Sequence, residues 1–272
     1  MTLLKPILYF SLFKYPLTEE EIFNFSKATS KEQIKLDLNE LVNDNIIYKI
    51  DDFYLTENNE TLIKRRLEGN KMAKNIYQKA LTISRLISKF PYVEGVGISG
   101  SLSKGYYDDD ADIDFFIITS PKRLWIARTF LILYKKIFLL NSRKYFCVNY
   151  FISSNALEIE EKNIFTATEL TTLLPMFGNG SFHKFYDENK WVENYLPNKT
   201  VTDGLSKLHV VKKPTTTKIT EYFLDSKIGD WLDAAFLRIT YKKWKIKFNH
   251  LEERQFNVAM KSTKNISKHH PL

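Results

Sequence analysis

The chain has 272 residues, of which 44% are hydrophobic and 14% aromatic, and a formal net charge of +8. That apolar content supplies a sizeable core and excludes a disordered chain, and a single cysteine, Cys147, excludes an internal disulfide framework. With no charged start, long apolar stretch and small-residue cleavage site in succession, the expectation is a cytoplasmic protein.

Residues 1–58 read as three helices followed by a hairpin. LLKPILYFSLF has apolar residues at helical spacing, and KYP ends it. Thr18 and Ser30 each begin a further helix, with Glu21 and Gln33 three residues on in capping-box spacing. IIYKIDDFYLT then reads as two short strands turned by Asp51-Asp52. Residues 59–90 form one connecting helix ended by Pro91.

Residues 91–178 alternate strand (Val93 to Ser99), loop, strand (Ile113 to Thr119), helix, strand (Tyr145 to Ile152) and helix (about Lys162 to Leu173). Ser120 and Pro121 give the first of these helices a start signal. Its apolar run, Leu124 to Leu140, carries Arg128, Lys135 and Lys136, so it reads as amphipathic and not as a membrane span. Residues 179–272 read as mainly helical with a polar tail. From Leu205 onward, 14 Lys and Arg face 6 Asp and Glu, so the whole net excess lies there. Such a patch attracts phosphate in a nucleotide, nucleic acid or anionic surface, unless it is simply a solvated helix face. The fold class expected is α+β or α/β.

The stretch GVGISGSLSKGYYDDDADIDFF, Gly95 to Phe116, joins a G-x-G-x-x-G match to an Asp-x-Asp pair. A dinucleotide-binding turn needs a full helix after the glycines, and 11 residues between Gly100 and Asp112 leave no room for one. A calcium loop fails because Phe115 and Phe116 stand where further ligands belong, and a Walker-type loop fails because Tyr106 and Tyr107 follow Gly105. What remains is a Gly100-Ser101 turn followed by Asp112 and Asp114 opening a strand. Alternation points both carboxylates one way while Ile113 points into the core. Like charges at close range call for a cation, and Mg²⁺ (or Mn²⁺) shares hard oxygen ligands with substrate phosphates. The Gly-Ser turn offers backbone N–H groups to a triphosphate, and Lys104 is a further charge partner.

Gly100, Ser101, Gly105 and Asp112-x-Asp114 resemble the signature of the nucleotidyltransferase superfamily related to DNA polymerase β, in its small bacterial and archaeal form. The resemblance implies a nucleotidyltransferase-like mixed sheet with flanking helices. It also implies transfer of a nucleoside monophosphate from an NTP to an acceptor, with Asp112 and Asp114 as metal ligands and catalytic residues. Gly100, Ser101, Lys104 and Gly105 are then the nucleotide-binding residues. The family commonly carries a third carboxylate on the next strand, where this sequence has Asn149, the third candidate catalytic residue, whose amide oxygen can ligate a metal weakly but cannot take a proton. Either Glu158 or Glu160 just beyond that strand substitutes, or the acceptor is acidic enough to need no base, and Arg123 and Arg128 are candidates to face the triphosphate.

The order of elements in residues 1–58 resembles a winged helix-turn-helix, although the second capped helix, Ser30 to Asn43, has no net positive charge with which to meet DNA. The alternative function is therefore a nucleotide-sensing, catalytically weak protein whose winged helix binds DNA or a protein partner. The acceptor is left open between a small molecule, a protein hydroxyl and an RNA end, with the basic C-terminal region tilting towards an anionic one. Cys147, Trp231, Trp244 and Phe248 read as core residues, and His183, His209, His250, His269 and His270 as having no metal-ligand role.

Overall fold

The computed structural model describes residues 3–199, 205, 208–210 and 212–269. The first unit comprises α1 (Leu4–Ser11), β1 (Leu17–Thr18), α2 (Glu19–Asn24), α3 (Lys31–Asn43), β2 (Tyr48–Ile50) and β3 (Phe53–Leu55). Its strands form a small antiparallel sheet in the order β1-β3-β2, with Asp51 at φ +53° in the turn joining β2 to β3. Local chemistry sets the helix starts. The Glu21 N–H donates to Thr18 Oγ1 at 3.3 Å while the Thr18 N–H donates to Glu21 Oε2 at 2.9 Å, and the Gln33 N–H donates to Ser30 Oγ at 3.2 Å. Ile7, Phe10, Leu17, Ile22, Ile34, Leu38 and Tyr54 close this unit's core.

The long helix α4 (Glu60–Ser88) carries the unit on a buried arginine. Arg66 stacks on Tyr15 and Phe53, with guanidinium-to-ring distances of 4.4 and 4.6 Å, donates to the Pro16 carbonyl and pairs with Glu21 at 2.8 Å. A planar cation so placed satisfies its donors and its apolar stem together.

The main sheet contains β4 (Val93–Ser99), β5 (Asp114–Thr119), β6 (Cys147–Ser153), β7 (Leu174–Gly178) and β8 (Ile266–Lys268) in the order β7-β4-β5-β6-β8. β4 and β5 are antiparallel, and the one-turn helix α5 (Gly100–Ser103) stands in their connection. β5 and β6 are parallel, joined through α6 (Leu124–Phe138) as parallel strands require. Side-chain alternation divides the sheet into two faces. Val96, Ile98, Phe115 and Ile117 pack on the α4 and α6 side. Phe116, Ile118 and Ile152 pack against α7 (Ile164–Thr172) and α8 (Ser181–Glu188). A short 3₁₀ turn (Lys190–Asn194) follows, then α9 (Thr215–Leu224), α10 (Lys227–Lys247) and α11 (Glu253–Ala259).

The mixed sheet with flanking helices agrees with the α+β expectation, and three particulars differ. Ser120 and Pro121 do not start α6, which begins at Leu124. Its first turn is capped from α10, because Asp233 Oδ1 accepts from the N–H groups of Trp125 and Ile126 at 2.8 and 2.9 Å. Next, the region from 179 on is helical as expected, but residues in its polar tail return to the main sheet as β8, antiparallel to β6. Trp244 is buried, whereas Trp231, at helical spacing from it, is 66% exposed and no core residue. No helix among the described residues is long and apolar enough to cross a membrane.

Candidate active site

β4 runs into the site at Ser99, and its neighbour in register on β5 is Asp114. The backbone turns sharply at Gly100, with φ +68°, and a Cβ there would lie 2.3 Å from Asp114 Oδ2. Glycine is therefore required twice over, by the left-handed backbone and by the carboxylate occupying the side-chain space. Gly105, at φ +76°, ends the segment, and its carbonyl accepts from Asn70 Nδ2 of α4 at 2.5 Å.

Ile113 is fully buried, its N–H donating to the Lys144 carbonyl at 2.9 Å and its own carbonyl accepting from the Cys147 N–H at 3.1 Å. This anchoring leaves Asp112 and Asp114 on the lining of one cavity of about 850 Å³. On β6 the register slips between Phe115–Val148 and Phe116–Tyr150, so Asn149 is the extra, bulged residue. A bulge re-aims a side chain, and here Asn149 Nδ2 donates to Asp114 Oδ1 at 2.8 Å. The Asn149 carbonyl is held in turn by the His269 N–H at 2.9 Å.

Burial pushes the Asp114 carboxyl up to about 6, and the charges of Asp112 and Glu169 push in the same direction against the hydrogen bonds of Cys147 and Asn149. Cys147 thus faces Asp114 half-buried rather than filling the core, and burial beside that carboxylate pushes its thiol up.

Ser101 and Lys104 also line the cavity. Lys104 reaches back to the Gly100 carbonyl at 3.1 Å and pairs with Glu169 at 2.8 Å. Glu169 was missed in the sequence, although its signal was there: it is the lone charged residue in the helix IFTATELTT. The expected substitutes are elsewhere. Glu158 pairs with Lys162 and Glu160 with Lys261, and among the described lining residues the carboxylates beyond the aspartates are Glu161 and Glu169. Burial works against the Glu161 charge, but Lys261 at 2.9 Å holds its carboxyl below the usual range.

The two arginines do not face this cavity. Arg123 follows the far end of β5, where it pairs with Asp230 at 2.6 Å and Asp225 at 3.4 Å. Arg128 is buried between the rings of Trp125 and Trp244, and burial lowers it to about 10. His269 packs on Trp244 at 5.1 Å and lies next to β8 rather than in a free tail. Burial and the nearby cations lower it to about 4. His270 lies outside the described residues.

Among the described residues no group of three or more His, Cys, Asp or Glu side chains is placed to hold a metal ion. The donors present nevertheless suit a hard cation. Asp112 and Asp114 present carboxylate oxygens to one space, their charges oppose one another, and Mg²⁺ takes its remaining ligands from water and phosphate. No family model, no curated protein and no solved structure matches the chain.

Proposed function

We propose that the protein is a metal-dependent nucleotidyltransferase that moves a nucleoside monophosphate from an NTP to an acceptor and releases pyrophosphate. The observation carrying this reading is the fit of the Asp114 carboxylate into the space where Gly100 lacks a side chain, beside Asp112 at the edge of a large cavity. A carboxylate, a bare backbone turn and a hydroxyl brought together in this way suit a triphosphate tail better than they suit packing.

In this reading Asp112 and Asp114 hold Mg²⁺ or Mn²⁺, which supplies charge compensation for phosphate oxygens when bound. The turn at Gly100 and Ser101 receives phosphate on N–H and hydroxyl donors, Gly105 gives the turn its exit, and Lys104 adds a cation once it leaves Glu169. Asn149 fixes the orientation of Asp114 and accepts no proton. The acceptor forms its bond to the α-phosphorus as the bond to the departing pyrophosphate breaks, and Glu169 is the wall carboxylate able to take the acceptor's proton. Calorimetry of the four NTPs with Mg²⁺, on wild type and on Asp112→Asn/Asp114→Asn, tests the site. Binding that ignores both metal and carboxylates would sink it.

A second reading is a nucleotide sensor that alters contact with DNA or a protein partner. The observation favouring it is that α1 and the turn after it supply Phe10, Phe13 and Tyr15 to the cavity, so an occupied site bears directly on the winged-helix-like unit. A steep salt dependence of duplex DNA affinity that changes on adding an NTP would support it, and indifference to DNA would remove the DNA arm.

A further inference from the structure

The cavity at Asp112 and Asp114 carries more information than its metal end. Its described lining includes five carboxylates (Asp110, Asp112, Asp114, Glu161 and Glu169) against two ammonium groups, Lys104 and Lys268. Lys104 is already paired with Glu169, and Glu161 with Lys261 at 2.9 Å, so the negative excess of the lining lies at Asp110, Asp112 and Asp114. The positive excess of the chain is placed elsewhere, for example on Lys242, Lys243 and Lys247 along the exposed face of α10. A site that tracks a nucleic-acid backbone needs cations along its wall, and an NTP would bring further negative charge into this one.

Beside aliphatic and small polar residues, the lining carries a group of aromatic rings. Phe10, Phe13 and Tyr15 come from the N-terminal unit, Tyr106 from the loop after α5, and Phe165 from α7. The rings brace one another, with Tyr15 and Tyr106 meeting edge to face at 6.0 Å and Tyr9 supporting Phe165 at 5.7 Å. Phe13 and Phe165 are nevertheless 49% and 51% exposed. Both pack against Tyr9, and large rings left half in water at the mouth of a cavity are surface that a bound molecule would cover favourably. A nucleobase is a single flat ring system, so rings from three chain segments leave surface for a second body.

We propose that the acceptor is a small organic molecule with an apolar, ring-sized body, uncharged or bearing an amine, and not the end of a nucleic acid. The proposal rests on the nucleotidyltransferase reading of the same site. Its acidic wall favours a cation and repels an anion, and its rings supply both apolar contact and cation–π faces.

The test uses three fluorescent probes of one body and different charge: naphthylethylamine, naphthylethanol and naphthylacetate. Each is titrated into the full chain with and without Mg²⁺. The amine and the alcohol are expected to bind, and the carboxylate to bind at least about tenfold more weakly than the amine. Phe13→Ser/Phe165→Ser, at half-exposed positions and checked for fold by circular dichroism, is expected to lose about tenfold of the amine affinity. Failure of all three probes, an anion bound as well as the amine, or a double variant with unchanged affinity would each overturn the proposal. NTP calorimetry on the same samples separates the two readings. Absent NTP binding sinks the transferase while the probes still decide the character of the cavity. Extension of an RNA or DNA oligonucleotide with labelled NTP upholds the transferase and overturns this acceptor class.

Discussion

Asn149 donates its side-chain amide to Asp114 across two parallel strands, Nδ2 to Oδ1 at 2.8 Å, and reaches it because it is the bulged residue of β6. An aspartate at 149 would lose that donor and add a like charge in a mostly buried place. Asn149→Asp is therefore expected to destabilise the metal-free protein by about 2 kcal/mol, and Mg²⁺ is expected to recover more stability in the variant than in wild type. Thermal unfolding with and without Mg²⁺, at constant ionic strength, reads both effects. An equal response to Mg²⁺ in the two proteins would mean that no cation sits beside these side chains.

Gly100→Ala tests the contact that carries the functional proposal. The substitution meets a left-handed backbone and a carboxylate oxygen 2.3 Å from the new carbon. A loss of about 1–3 kcal/mol of stability is expected from the strained backbone and the displaced Asp114 together. Mg²⁺-dependent NTP binding should weaken by at least about tenfold, as followed by calorimetry. Gly105→Ala makes a useful comparison, because the nearest atom to a Cβ there is 3.9 Å away and only the backbone strain remains.

Lys104 and Glu169 form a part-buried pair whose members have opposite uses when a triphosphate arrives. Glu169→Gln should release Lys104 to the phosphates and tighten NTP binding a few-fold while lowering turnover. Lys104→Met should weaken NTP binding by about tenfold, the scale of one charge-assisted contact. Isotherms together with single-turnover rates distinguish the two. If neither variant moves either quantity, the pair is structural.

Asp233 links a distant helix to pH. Burial pushes its carboxyl up to about 6, above its ordinary 3.8. The folded protein thus holds this proton more tightly than the unfolded chain does, so stability from the group is full below the ordinary value and is lost as pH rises towards 6. Asp233→Asn keeps an acceptor oxygen for the Trp125 and Ile126 N–H groups without the charge. It is expected to be close to wild type near pH 4 and to gain about 1–2 kcal/mol on it near pH 8, as measured by denaturant unfolding across that range. A constant difference at all pH values would remove the carboxylate from the account.

What the sequence made legible was local. Thr18 with Glu21 and Ser30 with Gln33 cap their helices within one turn, and Val93–Ser99 is a strand at the bounds its pattern marked. Asp112 and Asp114 both line the cavity, but β5 begins at Asp114, so Asp112 stands before the strand and outside the alternation expected to orient it. The rest depends on partners far along the chain. Asp233 caps α6 from 108 positions away and Glu169 meets Lys104 across 65; nothing near Ser120 announces the first contact, and the lone charge of IFTATELTT marks Glu169 without naming its partner. Arg123 and Trp231 misled for the same reason: the first is drawn off by Asp230, and the second lies on an exposed face of α10.

The edge strand β8 gives the site a dependence on the order of synthesis. Asn149 is clamped through its carbonyl by His269, and β6 has β8 as its outer neighbour through residues 266–268. While a ribosome has yet to deliver that segment, a growing chain presents β6 as an unpaired edge, open to pairing with other extended chains. The bulge that aims Asn149 at Asp114 then lacks its outer support, so the geometry around Asp114 is complete only once residues 266–269 have been made and paired.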